Sequence, residues 1–162
     1  MNTKIVSLDE LRMISKKLAA AKNKLVVTNG CFDLLHVGHV RYLQAARKLG
    51  DVLVVGINGD ASVKALKGPG RPINCEADRA EVLAALSCVD FVTIFSDVRA
   101  THLFEAARPS VYVKGGDYNK DTLDSSERAV LEDMGARIQI LPFEDGYSTS
   151  RIIQRLRKIS SV

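Results

Sequence analysis

Two histidines three positions apart, His36 and His39, lie in the stretch Asn29-Gly-Cys-Phe-Asp-Leu-Leu-His-Val-Gly-His39. An apolar segment, Lys24–Thr28, precedes them, and a helix is expected from Gly38. Residues three apart at a helix start share one face, so both imidazoles would point the same way. The free N–H groups and positive dipole end of such a helix favour an anion. Gly30 and Gly38 would let a bulky polyanion approach the main chain. The stretch therefore reads as a nucleoside triphosphate site that uses histidines where other sites use a Walker lysine. A single histidine can equally be a capped or core imidazole. Zinc would need a third ligand beside His36 and His39, and only His102 and dispersed acids or thiols are available.

Three further clusters carry residues of similar chemistry. Asn58, Gly59 and Asp60 are followed by Lys64, Lys67 and Arg71, which read either as a solvated basic loop or as phosphate contacts. Lys114-Gly-Gly-Asp-Tyr118 is either a turn or a place where backbone passes close to a base or sugar phosphate. In the second case Lys114 would hold an acceptor phosphate, Asp117 would accept from sugar or base donors, and Tyr118 would stack or pack. Phe143-Glu-Asp-Gly-Tyr-Ser-Thr-Ser150 ends in hydroxyls at a helix start. Ser148 there is a helix cap or part of a phosphate cradle. Arg79, near the start of another helix, is a site residue or one half of a surface pair.

The elements that must position these clusters alternate along the chain. Ser7-Leu-Asp-Glu10 forms a capping box ahead of a helix to about Lys22. Strands are expected at Leu25–Thr28, Val52–Ile57, Phe91–Phe95, Val111–Val113 and Arg137–Leu141. Helices are expected at Gly38–Leu49, Asp60–Leu66, from an Asn74 cap to Ser87, at Arg99–Ala107, Ser125–Met134 and Ser148–Lys158. Val52–Ile57 is a continuous apolar run, as in a strand buried on both faces. Strand–helix alternation predicts an α/β fold with a parallel five-stranded sheet and right-handed crossovers. Ligands of such sheets gather beyond the carboxyl ends of the strands. The four clusters follow four of these strands, which is where a shared site would need them.

The 162 residues suit one domain with a proper core. We divide it into an N-terminal helix, 1–23, and a core, 24–158. No apolar run approaches the roughly 20 residues needed to span a bilayer, and no secretory h-region opens the chain. Three widely spaced cysteines, Cys31, Cys75 and Cys88, form no CxxC pair, so reduced thiols in the cytoplasm are expected. The net charge of +4 comes from scattered lysines and arginines, which a small anionic ligand explains without nucleic acid or a membrane surface as partner.

The string from Cys31 to His39 resembles the signature of the HxGH nucleotidyltransferase superfamily, and Arg79 matches an arginine found there at the start of a later helix. Together with Lys67-Gly-Pro-Gly-Arg-Pro72, Val113–Tyr118 and Glu144–Ser150, it is similar to the D-glycero-D-manno-heptose 1-phosphate adenylyltransferase family. That family corresponds to the adenylyltransferase half of the bifunctional heptose kinase/adenylyltransferase, and the similarity covers about residues 24–157. No sugar-kinase segment precedes the motif, so a stand-alone form is expected.

The resemblance implies a Rossmann-like sheet of order 3-2-1-4-5 with helices on both faces, and a homodimer. It implies transfer of AMP from ATP to a sugar 1-phosphate, with Mg²⁺ carried by the ATP phosphates and no protein metal ligands. The product would be ADP-heptose for lipopolysaccharide inner-core or related glycan assembly. On this reading His36, His39 and Lys67 are catalytic. ATP would be bound by Gly30, Cys31, Phe32, Asp33, His36, Gly38, His39, Asp60 and Arg79, and by Lys114, Gly115, Asp117, Ser148 and Thr149. The sugar phosphate would meet Lys64, Arg71, Lys114 and Tyr118. Glycerol-3-phosphate cytidylyltransferases carry an arginine where this chain has Phe143, and Arg151 is the candidate to replace it. The alternatives are the same chemistry on glycerol 3-phosphate or FMN, and a nucleotide-sensing module without turnover.

Overall fold

A computed structural model describes residues 3–116, 123–142 and 146–159. Among these, twelve elements alternate in the expected manner: α1 (Leu8–Ala20), β1 (Leu25–Gly30), α2 (Val37–Arg47), β2 (Val52–Asn58), α3 (Asp60–Lys67), α4 (Glu76–Ala84), β3 (Phe91–Phe95), α5 (Thr101–Ala107), β4 (Val111–Gly115), α6 (Ser125–Asp133), β5 (Arg137–Leu141) and α7 (Thr149–Ile159). The strands form one parallel sheet in the order β3-β2-β1-β4-β5. β1 is thus central, with Thr28 level with Val55 on one side and Val113 on the other.

Period-two alternation divides the core into two layers. Val26, Leu53, Val55, Ile57 and Val113 face Tyr42 and Leu43 of α2 and Leu83 of α4. Leu25, Val27, Val54 and Tyr112 face Leu11 of α1, Leu103 and Phe104 of α5, and Leu131 of α6. Both faces are covered, which is why β2 reads as an unbroken apolar run. No helix of the described residues is long and apolar enough to cross a membrane.

Local signals explain most boundaries. Ser7 and Glu10 form the reciprocal capping box at α1. Asp124 caps α6 by accepting from the N–H groups of Ser126 and Glu127. One expectation needs correction. Asn74 does not cap α4: Cys75 holds the cap position, because the Asn74 side-chain amide is drawn to the Asp33 carbonyl at 2.8 Å. The outer edge of β3 carries a further bridge. Val92 N–H donates to Lys4 O at 2.8 Å and Val6 N–H to Val92 O at 2.9 Å, so the segment before α1 adds a parallel bridge there.

Close packing sets one testable limit. A Cβ at Gly56, in β2, would lie 2.3 Å from Leu103 Cδ2 in α5. Leu103 is fully buried and has little room to retreat. Gly56→Ala should therefore destabilise the fold by about 1–3 kcal/mol. Urea unfolding would show this as a lower midpoint, and an unchanged midpoint would mean that α5 is free to shift.

Candidate active site

The ends of β1, β2 and β4 open into a cavity of about 640 Å³. Its floor is the turn after β1, where Gly30, Cys31, Phe32 and Asp33 all reach the wall. Phe32 takes a left-handed conformation with φ 46°, which turns the chain sharply toward α2. His36 stands at the cap position of α2 and His39 in its first turn, as the spacing predicts.

The two imidazoles stack, with centroids 3.8 Å apart and ring planes 23° apart. His39 lines the cavity, and His36, stacked on it, does not. The Nδ1 atoms of both rings are buried and have no hydrogen-bond partner among the described residues. Burial and the neighbouring His36 push the His39 pKa down to about 4, and burial also lowers that of His36. Two buried, unpartnered ring nitrogens at a helix start suit an anion that brings its own charge. Gly38 does not line the cavity. A Cβ there would meet Tyr147 Cβ at 3.0 Å and His36 Nδ1 at 3.1 Å, so the glycine makes room for the protein's own side chains.

Asp33 and Arg79 are structural ties around this turn. The Asp33 carboxylate is nearly buried and accepts from Ile73 N–H at 2.8 Å and Asn74 N–H at 3.0 Å. Arg71 Nε approaches its other oxygen to 3.2 Å as an ion contact. Arg71 Nη1 has no hydrogen-bond partner among the described residues, and Arg71 lines the cavity. Arg79 is 2% exposed, which rules out the surface-pair reading. Its guanidinium donates to Cys31 O at 2.6 Å, Asn74 O at 3.0 Å and Asp60 Oδ1 at 2.7 Å. These contacts fasten the β1 turn to the segments that begin α3 and α4. Arg79 and Asp60 do not reach the cavity wall, and neither does the exposed Lys64. Lys67, at the end of α3, does.

Lys114 and Gly115 of β4 also line the cavity. Burial lowers the Lys114 pKa, while Glu127 and Cys31 raise it and Lys67 and Arg99 lower it further. Thr149 and Ser150 of α7 also reach the wall, and the Thr149 hydroxyl donates to Leu34 O at 3.4 Å. Ser148 acts as the helix cap, since its hydroxyl accepts from Arg151 N–H at 3.2 Å. Asp117, Tyr118 and Phe143 lie outside the described residues. Arg151 does not line the cavity. Arg99, Asp124 and Glu127 do, and sequence reasoning missed all three. The only signal for them was position: Arg99 follows β3 by four residues, in the ligand-facing loop of that strand.

Comparison with known proteins agrees with this geometry. The "Bifunctional protein HldE" of Geotalea uraniireducens is 52% identical over 156 residues, which are 96% of this chain and 31% of that protein. The protein of the same name from Geobacter sulfurreducens is 47% identical over 157 residues, 97% of this chain and 32% of that one. The chain thus spans about a third of the length of these relatives. The crystal structure of the lipopolysaccharide core biosynthesis protein from Thermoplasma volcanium superposes with a TM-score of 0.61 at 26% identity, covering 78% of this chain and 99% of that one. A pantoate–β-alanine ligase from Francisella tularensis shares the fold at a TM-score of 0.60 and 15% identity, covering 98% of this chain and 78% of that one. The profile of the cytidylyltransferase-like family matches residues 27–155. With four-fifths of its length inside that match, and its histidine pair set where the sheet opens, the chain belongs to the cytidylyltransferase-like family.

Proposed function

We propose that the chain transfers AMP from ATP to D-glycero-D-manno-heptose 1-phosphate, giving ADP-heptose and pyrophosphate. Residues 24–158 would form the catalytic core of a cytoplasmic homodimer, with 1–23 as a supporting helix. The observation that carries this reading is the cavity itself. It is lined by His39, whose buried Nδ1 has no hydrogen-bond partner among the described residues, and by Lys114 and Arg99. Such a space suits two phosphorylated reactants. The HldE relatives and the likeness to the heptose family support the choice of acceptor.

The acceptor phosphate has a second pKa of about 6, so it is mostly dianionic at neutral pH. It needs no general base to attack the α-phosphorus. Catalysis is then positioning and charge stabilisation. The main chain at Cys31 and Phe32 would meet the α-phosphate. His36 and His39 would face the α- and β-phosphate oxygens as charge builds toward pyrophosphate. Lys67 and Thr149 would hold the β- and γ-phosphates, and Lys114 and Arg71 the acceptor. Asp33, Asp60 and Arg79 would act by fixing the turn, not by touching ATP. Among the described residues no group of three His, Cys, Asp or Glu is placed to hold a metal ion. Mg²⁺ would be carried mainly by the ATP phosphate oxygens and water, where it would neutralise charge on the leaving group.

The test is pyrophosphate release over a grid of ATP, CTP and GTP against heptose 1-phosphate, glycerol 3-phosphate and FMN. ATP with heptose 1-phosphate should exceed every other pair. A higher rate with another pair, or ATP binding with no release at all, would overturn the assignment.

A further inference from the structure

The cavity lining contains a carboxylate that has no role in the reaction as written. Glu127, in the first turn of α6, is 6% exposed and still lines the cavity. Its Oε1 accepts from Ala100 N–H at 2.8 Å. Ala100 is the cap residue of α5 and has no side-chain cap of its own, so Glu127 fastens the loop that carries Arg99. One turn earlier, Asp124 Oδ2 pairs with Arg99 Nη2 at 3.1 Å. The start of α6 therefore contributes two carboxylates to the lining that also holds Arg99 and Lys114, one paired with Arg99 and one tied to Ala100.

We propose that Glu127 is a positioning residue for the acceptor. Through Ala100 it holds the 97–100 loop in place, and it lines the same cavity as Lys114. Lys114 and Arg99 then meet the acceptor's phosphate together. This rests on the nucleotidyl-transfer reading above and adds the residue that prepares the acceptor half of the site.

The electrostatics support this division of labour. Removal from water favours the neutral amine at Lys114. Lys67 from the end of α3 and Arg99 from the loop before α5 push the same way. Glu127 from α6 and Cys31 from the turn after β1 oppose them, with Glu127 the larger. A neutral amine is a poor partner for a phosphate dianion, because charge-assisted contacts are about twice as strong as neutral ones. Loss of the Glu127 charge therefore lowers the Lys114 pKa, and the ammonium loses its proton at a lower pH.

Glu127→Gln keeps an oxygen for Ala100 N–H and removes the charge. It should raise KM for the acceptor about tenfold, the loss of one charge-assisted contact, and leave KM for ATP unchanged. The alkaline limb of kcat/KM for the acceptor should move to lower pH. A titration that needs no turnover follows Lys114 directly, by ¹³C NMR of lysine-labelled protein with the resonance identified through Lys114→Arg. The Lys114 midpoint should fall in Glu127→Gln, and inorganic phosphate should shift its resonance less than in the parent. Glu127→Asp keeps the charge but breaks the Ala100 contact, so it should restore the midpoint and still raise KM for the acceptor, and a parental KM in Glu127→Asp would overturn the positioning role. An unchanged midpoint in Glu127→Gln overturns the proposal. A parent protein that releases no pyrophosphate with any acceptor overturns the proposed function, and the NMR titration still decides the role of Glu127.

Discussion

Replacing His39 by alanine should lower kcat for nucleotidyl transfer by about 10²–10³, the usual effect of removing one donor aimed at developing charge. His36→Ala should fall in the same range, since the two rings stack at 3.8 Å and support each other's placement. Near-parental kcat in either variant would remove the histidines from the chemistry. His39 also leaves a signature in stability. Its folded pKa is about 4, against an ordinary value near 6.5 when unfolded. Between those values the unfolded chain binds more protons, so stability rises with pH across that window and falls as pH drops from 6.5 to 4. Above 6.5 this group adds no pH dependence. The difference amounts to about 2 kcal/mol, allowing for the part of the ring that water reaches. His39→Gln should flatten that slope, as thermal unfolding at pH 7 and pH 4.5 would show. An equally steep slope in the variant would place the acid sensitivity elsewhere.

Arg79→Leu should destabilise the protein by about 3–5 kcal/mol, because it strips a buried polar cluster of its central cation. Three partners lose a donor at once: Cys31 O, Asn74 O and Asp60 Oδ1. Arg79→Lys should recover only part of this, because an ammonium cannot span the geometry of a planar fork. The alternative, in which Arg79 touches ATP, predicts a raised KM for ATP with stability unchanged. Chemical denaturation together with ATP kinetics separates the two.

That contrast shows what can be read in a linear sequence. β3 and β5 were legible to the residue, because apolar runs bounded by polar turns are local signals. His36 and His39 were legible because their spacing on a helix start is also local. Arg79 looked like a contact residue because nothing nearby announces that its partners are Cys31, 48 positions away, and Asp60, 19 away. Asn74 has the chemistry of a helix cap, and it lost that role to a bond with a residue 41 positions distant. Glu127 and Arg99 were missed for the same reason. The contacts of Glu127 with Ala100 and of Arg99 with Asp124 depend on how α5 and α6 pack, and no periodicity encodes that.

The central place of β1 has a consequence for how the protein is made. Synthesis delivers β1, β2 and β3 first, and β4 follows some 80 residues after β1. Until Val111–Val113 dock beside Val26–Thr28, one edge of the central strand of the sheet is open. Unpaired apolar edges of that kind invite association between nascent chains. The strand that closes this edge is also the one that brings Lys114 to the cavity. A folding intermediate of the first three strands would therefore present the histidine turn without Lys114 and Gly115, and arrival of β4 both protects the edge and completes the site.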